Sequence, residues 1–197
     1  MDLIPRVQNL ILKPKEEWVK IKGEDTPPMT LIMTYAAILA AIPAIAQFIG
    51  FGLIGTRIPF LGTYRAPLGS ALLRAVLYYV FTVASVYGFG FIINMLAPNF
   101  GAKSNLQKAM QLSVYSMTIP FVAGVFYIIP SLGVLAGIAG LYGLYVLYLG
   151  FNTPMMDTPK EKIVSYLIVC IVVVVVLMLV IGLILGAIFA VGSVARF

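Results

Sequence analysis

The stretch Ala109–Met156, AMQLSVYSMTIPFVAGVFYIIPSLGVLAGIAGLYGLYVLYLGFNTPMM, contains no charged residue. At 1.5 Å per residue a single helix of this length would reach about 72 Å, more than twice the roughly 30 Å hydrocarbon layer of a bilayer. The chain must therefore fold back within the stretch, and Pro130-Ser131 is the expected break. The sequence thus predicts two adjacent membrane spans, at about residues 112–129 and 132–151.

Three further apolar segments have the length of a membrane span. They lie at about residues 31–54, 72–96 and 163–191, and the last should tilt because its length exceeds the layer. The chain is 61% hydrophobic and 10% charged, with a mean hydropathy of +1.04, far from the roughly 25% charge of soluble domains. We therefore predict an all-α polytopic membrane protein, in which residues 26–197 form one domain of five transmembrane helices.

The basic residues predict an orientation for these spans. Of the 13 Lys and Arg residues, nine lie before the first span or in the loops after the second and fourth spans. The other side has Arg57, Arg65, Arg74 and Arg196. Because cytoplasmic loops carry an excess of Lys and Arg, we expect a cytoplasmic N-terminus and an external C-terminus.

Residues 1–25 have the pattern of an amphipathic helical segment at the membrane interface. Leu3, Val7 and Leu10 share a helical face, Pro14 restarts the helix, and Trp18 and Ile21 continue the apolar side. We interpret this segment as a helix lying on the membrane, with Trp18 in the aromatic belt and the lysines among lipid headgroups. The alternative is a docking site for a cytoplasmic partner.

Two four-residue sequences have the pattern of a capping box, in which a hydroxyl and a Glu or Gln satisfy free N–H groups at a helix start. Ser104–Gln107 would begin the third helix. Thr158–Glu161 would begin the fifth, with Pro159 in its first turn and Glu161 accepting from the Thr158 N–H. The alternative for Glu161 and Lys162 is contact with a partner or a lipid headgroup.

The composition argues against several classes of function. Histidine is absent and Cys170 is the sole cysteine, so the sequence indicates no disulfide, no metal site and no cofactor. No ionisable residue lies deep in a span, which weakens a proton-driven transport hypothesis. We find no catalytic motif and expect no enzyme activity, and the basic residues are too dispersed for a nucleic-acid partner.

Hydroxyl-bearing and small residues leave two interpretations open. Tyr142, Tyr145 and Tyr148 form a stripe on the fourth helix, and with Tyr115 they could line a small polar cavity. Alternatively, they hydrogen-bond between helices or lie at the interface. Pro43 and Pro120 should kink the first and third helices. Rows of Gly and Ala at four-residue spacing favour packing of the chain on itself over a homo-oligomer, although a homo-oligomer stays open.

Several short motifs, in this order and spacing, resemble those of the Yip1 domain family of five-span membrane proteins. The N-terminal motif has Pro14, Trp18 and Ile21. The others are Ala97-Pro98-Asn99-Phe100-Gly101, Tyr115 through Pro120, Leu141 through Gly150, and Thr158 through Lys162 with Tyr166. Candidate functional positions from this resemblance are Pro14, Trp18, Ile21, Ala97, Pro98, Phe100, Gly101, Tyr115, Pro120, Tyr142, Tyr145, Tyr148, Gly150, Pro159, Glu161 and Lys162.

The resemblance is to the short bacterial or archaeal form and implies a prokaryotic cytoplasmic (inner) membrane. Eukaryotic relatives associate with Rab GTPases and with one another in vesicle trafficking, but a prokaryotic cell has no Rab system. We therefore predict a non-enzymatic scaffold or adaptor, whose partners are the lipid bilayer and membrane or cytoplasmic proteins. The alternative is a channel or facilitator for a small solute or ion.

Overall fold

The computed structural model describes residues 2–58 and 62–194. Within them, five helical segments are long and apolar enough to cross a membrane, as the sequence predicts. Residue 196, which the orientation argument uses, lies outside the described residues. The five segments are Pro28–Ile54, Leu68–Phe100, Leu106–Ile128, Pro130–Asn152 and Lys160–Ile184.

Two short helices precede the first span. Helix α1 (Leu3–Leu12) and helix α2 (Pro14–Lys22) meet at Lys13, because Pro14 fits the first turn of a new helix. Leu10, Trp18 and Ile21 are fully buried against the bundle. The predicted apolar side of this segment thus packs on the protein.

The first span is helical throughout but changes its hydrogen-bonding pattern twice. It comprises α3 (Pro28–Leu31), a π-helical turn at Ile32–Ala36, α4 (Ala37–Phe48) and a second π-helical turn at Ile49–Ile54. Pro43 lies inside α4 without interrupting it.

A two-stranded antiparallel ribbon connects the first two spans. Strand β1 (Thr56–Ile58) pairs with β2 (Gly62–Tyr64), and the second span then runs as α5 (Leu68–Leu96) into a 3-10 turn at Ala97–Phe100. Apart from this ribbon, the regular structure of the described residues is helical, so the all-α prediction is confirmed.

The charge-free stretch folds back where the sequence predicts. The third span comprises α6 (Leu106–Ser116), α7 (Thr118–Ala123) and a 3-10 turn at Gly124–Ile128. A further 3-10 turn at Pro130–Leu132 leads into α8 (Gly133–Asn152). The break between α6 and α7 follows from Pro120, which has no N–H to donate to the Ser116 carbonyl at the end of α6.

Helix α6 forms the centre of the bundle. All eight residues from Ala109 to Ser116 are buried, including Gln111 and two serines. The Ser113 hydroxyl donates to the Val86 carbonyl of α5 at 2.6 Å. The Ser116 hydroxyl donates to the Ser113 carbonyl and the Gln111 amide to the Glu24 carbonyl, so each of these buried side chains donates a hydrogen bond.

The fifth span, after a 3-10 turn at Lys160–Lys162, is α9 (Ile163–Val194). Ile163, Tyr166 and Cys170 are buried, and they lie in its first third. Beyond them the described side chains of α9 are exposed or partly exposed, as expected for a lipid-facing helix.

Both predicted capping boxes are wrong in detail. At α6 the cap is Asn105 instead of Ser104: its extended backbone lets Oδ1 accept the Lys108 N–H at 3.1 Å. At the fifth span the cap position is Pro159, and no side chain caps the helix there. The span begins instead with a 3-10 turn, in which the Lys162 N–H donates to the Pro159 carbonyl. Glu161 is exposed and caps nothing among the described residues.

Candidate functional site: the charged end of the bundle

Three segments meet at one end of the bundle, which we call the charged end: the α1–α2 pair, residues 97–105 and residues 153–162. The Lys103 N–H donates to the Met156 carbonyl at 2.8 Å, which joins the two loops. The Lys108 ammonium donates to the carbonyls of Lys22 and Glu24 at 2.7 and 2.8 Å, which joins α6 to the segment after α2. Residues 2–25 and 153–162, which together carry all seven acids of the chain, therefore lie at the same end of the bundle.

Trp18 anchors α2 in the bundle. Its side chain is fully buried, and the indole N–H donates to the Val146 carbonyl of α8 at 2.9 Å. Its ring meets the Tyr115 ring edge to face, with centroids 6.2 Å apart. The prediction that Trp18 lies in the aromatic belt is wrong, because α8 has a glycine, Gly150, where the indole packs.

A buried ion-pair network, which the sequence analysis missed, lies beside Tyr115. The Arg6 guanidinium bonds to Glu17 at 2.6 Å and also to Glu24, and its carbon lies 5.4 Å from the centroid of the Tyr115 ring. The side chains of Arg6 and Glu17 are 9% and 4% exposed. Lys20 completes the network with a 3.0 Å bond to Glu17.

The environment keeps Arg6 charged. Burial by itself lowers the pKa of the guanidinium, but the hydrogen bond to Glu24 and the charges of both carboxylates outweigh it and raise the pKa. The only sequence signal for the pair was the placing of Arg6 and Glu17 on either side of Pro14. That spacing becomes meaningful once the two helices fold against each other.

The loop after α5 docks on the start of the fifth span. Gly101 has a φ of +69°, and a Cβ there would lie 3.3 Å from Cγ of Pro159. Phe100 stacks on Tyr166 with ring centroids 4.6 Å apart, and the Tyr166 hydroxyl donates to the Ile93 carbonyl. Of the candidate residues here, Ala97, Phe100, Gly101 and Pro159 are thus packing or turn positions, whereas Pro98 and Lys162 are exposed.

An exposed ion pair joins residues 97–105 to residues 153–162. The Lys103 ammonium lies 2.9 Å from the Asp157 carboxylate, and Asp157 has a φ of 53°. The hydrogen bond and the opposite charge lower the pKa of Asp157 and raise that of Lys103. Both groups stay charged over the physiological pH range.

The tyrosines do not form one cavity. Tyr115 is fully buried, and Tyr35 meets its ring at 5.1 Å while sharing a 2.8 Å hydrogen bond with Thr118. In contrast, Tyr142 and Tyr145 are 36% and 43% exposed on the outside of α8. The interpretation in which Tyr115 and the stripe share one cavity is therefore wrong, because Tyr115 lies in the core whereas the stripe lies on the outside of α8. Tyr148 is also exposed.

Two candidate prolines also serve packing. Pro14 is buried at the start of α2. Pro120 lies against Gly143, where a Cβ would be 2.9 Å from the proline Cδ. Close contact of α7 with α8 thus requires the glycine.

The surface of the charged end is rich in charge of both signs. Within residues 2–58 and 62–194, no group of three His, Cys, Asp or Glu side chains is placed to hold a metal ion. What the surface offers is electrostatic binding by exposed side chains, among them Lys13, Lys15, Glu16, Lys22, Asp25, Lys160, Glu161 and Lys162.

Five membrane-length helices, closed at one end by the Trp18 and Arg6 contacts, define a polytopic α-helical membrane protein. A family model described as the Yip1 domain matches residues 9–193, nearly the whole chain. The protein belongs to the Yip1 domain family, as its motifs indicate. Searches of curated proteins and of solved structures return no significant match.

Proposed function

We propose that this protein is a non-enzymatic membrane scaffold or adaptor that acts through its charged end on protein partners or on membrane organisation. We further propose that this end faces the cytoplasm of a prokaryotic cell, with the protein in the inner membrane. The Lys and Arg distribution supports that orientation.

One observation carries the proposal: the charged end separates buried anchors from free charges. Trp18, Arg6 and Glu17 are used internally, whereas Glu161 and Lys162 are exposed. No side-chain hydrogen bond or ion pair joins Glu161 or Lys162 to another described residue. Exposed charged side chains without such bonds contribute little to the stability of the fold. We therefore assign Glu161 and Lys162 to contact with a partner.

Crosslinking with mass spectrometry in native membranes tests this function. We expect reproducible crosslinks from the charged end to a partner, and their loss in a Glu161→Gln, Lys162→Gln double variant. The control is Arg65→Gln, which removes an exposed charge at the opposite end. Crosslinks that are absent, or equal in both variants, would contradict the proposal.

The orientation is tested with single cysteines at two exposed positions, Lys160 and Thr63. An impermeant thiol reagent applied outside intact cells should label position 63 and not position 160. The reverse pattern would place the charged end outside. The native Cys170 is buried and should stay unlabelled.

The alternative, a channel or facilitator for a small solute or ion, gains no support from the described residues. Its motivation was the tyrosine stripe of α8 together with the kinks expected at Pro43 and Pro120, and a continuous polar cavity lined by Tyr115, Tyr142 and Tyr145 would favour it. Tyr115 instead fills the core beside Trp18.

A further inference from the structure

A groove of about 330 Å³ lies between the α1–α2 corner, residues 12–16, and the outer side of α8. The corner contributes Leu12, Lys13, Lys15 and Glu16, and α8 contributes Tyr142 and Tyr145. The Tyr142 hydroxyl donates to the Ile11 carbonyl at 2.8 Å, which holds the corner against α8.

The groove lies beside α8, short of the C-terminal end of this helix. Helix α8 ends at Asn152, and Tyr142 and Tyr145 precede that end by about two to three turns. At 1.5 Å per residue the groove is therefore roughly 10–15 Å inside the helix end. Helix α2 runs alongside this part of α8, since Trp18 contacts both Val146 and Gly150.

The outer face of α8 changes character at the groove. Towards its N-terminal end it exposes Val134, Ile138 and Leu141 at 71%, 58% and 67%, and the tyrosines follow. Tyrosine at such a change marks the level of lipid headgroups. The groove is therefore placed where a headgroup can enter it, with the acyl chains along the apolar part of α8.

The groove carries charges that the protein leaves unmatched. Lys13, Lys15 and Glu16 are exposed, and none of their side chains forms a hydrogen bond or ion pair with another described residue. Two cations, one anion and two aromatic rings thus surround the same space. Basic side chains at the level of lipid headgroups are attracted to the lipid phosphates.

We propose that this groove binds the headgroup of a zwitterionic aminophospholipid. Its phosphodiester would pair with Lys13 and Lys15. Its primary ammonium would donate to the Glu16 carboxylate and lie against the ring of Tyr145. An anionic headgroup without an amine gives the Glu16 carboxylate no cation to pair with and places it beside the phosphate. A choline headgroup is cationic but has no N–H to donate to Glu16.

The test is native mass spectrometry of the purified protein in detergent, with phosphatidylethanolamine, phosphatidylglycerol or phosphatidylcholine added in equal amounts. We expect the wild type to retain phosphatidylethanolamine over either competitor by roughly two- to fivefold, the range of one partly exposed ion pair. Because no partner protein is present, the outcome is separate from that of the proposed adaptor function.

Three variants test the assignment of the charges. Lys13→Gln with Lys15→Gln should lose the bound phosphatidylethanolamine, whereas Lys160→Gln, which changes an exposed lysine outside the groove at the start of the fifth span, should retain it. Glu16→Gln should abolish the preference over phosphatidylglycerol. The side chains of Lys13, Lys15 and Glu16 form no hydrogen bond or ion pair with another described residue, so the variants should keep the melting temperature of the wild type. An unchanged melting temperature then shows that a variant is folded.

Two results would overturn the proposal. One is equal retention of phosphatidylethanolamine by the Lys13, Lys15 double variant and by Lys160→Gln. The other is a wild type that holds phosphatidylglycerol or phosphatidylcholine as well as phosphatidylethanolamine, which would leave Glu16 without a role.

Discussion

The indole of Trp18 packs directly on Gly150, so closely that a Cβ at position 150 would lie 2.8 Å from Cζ2 of the ring. This contact joins the second helix of the chain to its fourth span. The same indole donates a hydrogen bond to Val146, one turn earlier on α8. The N-terminal segment is thereby a packed part of the bundle.

We expect Gly150→Ala to destabilise the protein by about 1–3 kcal/mol, the usual cost of overpacking a core. The added methyl would meet the Trp18 ring and Cδ2 of Leu112, both closer than 3 Å. The free energy of unfolding in detergent measures this. The matched control is Gly137→Ala on the same helix, where no atom lies within 4 Å of a Cβ. An equal effect of the two changes would contradict the packing argument.

Removing Arg6 tests how much the buried ion-pair network contributes to the free energy of unfolding. Arg6→Met leaves the Glu17 carboxylate buried with Lys20 as its remaining partner, and breaking such a pair costs about 3–5 kcal/mol. Arg6→Met with Glu17→Leu should recover most of that loss, because apolar groups of similar size replace the whole pair. Denaturation of four proteins, the wild type, Arg6→Met, Glu17→Leu and the double variant, completes a double-mutant cycle. Additive losses would mean that the two residues do not interact.

The buried contacts of the Trp18 indole, its hydrogen bond and its packing together, should contribute to stability. Trp18→Phe removes the indole N–H and part of the ring, so we expect a loss of about 1–3 kcal/mol. Val19→Ala is the control, since Val19 is the next residue and is 67% exposed. Melting curves that move alike for both variants would show that the indole contacts do not stabilise the fold.

The turn after α5 should depend on its glycine. Gly101→Ala forces a side chain into a positive φ and towards Pro159, at a cost of about 1 kcal/mol or more. Gly88→Ala, inside α5 with nothing within 4 Å of a Cβ, should be neutral or slightly stabilising. Thermal unfolding of both variants checks this, and a stable Gly101→Ala would mean that the turn readjusts freely.

The Lys103–Asp157 pair predicts a pH dependence. Because the folded protein lowers the pKa of Asp157 below its ordinary value of 3.8, the pair contributes stability above that value. The contribution is lost as the pH falls through the lowered pKa. Carbon-13 NMR of the Asp157 carboxyl should show the low pKa in the wild type and a return towards 3.8 in Lys103→Gln. The same titration curve in both proteins would rule out the pairing in solution.

The number and placing of the spans followed from the sequence, because the thickness of a bilayer sets the length of an apolar helix. The reversal at Pro130 and the break near Pro120 followed from the missing proline N–H in the same way. The sequence analysis placed the helix caps at Ser104 and Thr158, whereas the structure has them at Asn105 and Pro159. Such shifts arise because several neighbouring polar residues compete for the same free N–H groups.

The role of Trp18 shows where this reasoning ends. In sequence, a tryptophan among lysines before the first span is typical of the membrane interface. Only the fold shows that Gly150 leaves room for its ring, and Trp18 and Val146 are 128 residues apart in the chain.

The chain by itself therefore determined a membrane-spanning helical bundle and the end at which its charges collect, because hydropathy and charge act through the solvent on each segment separately. Tertiary structure alone decided which charges are buried with partners, as Arg6 and Glu17 are, and which stay free, as Lys13 and Glu16 do. That division depends on side chains from distant segments meeting in space, and no local pattern of residues encodes such a meeting.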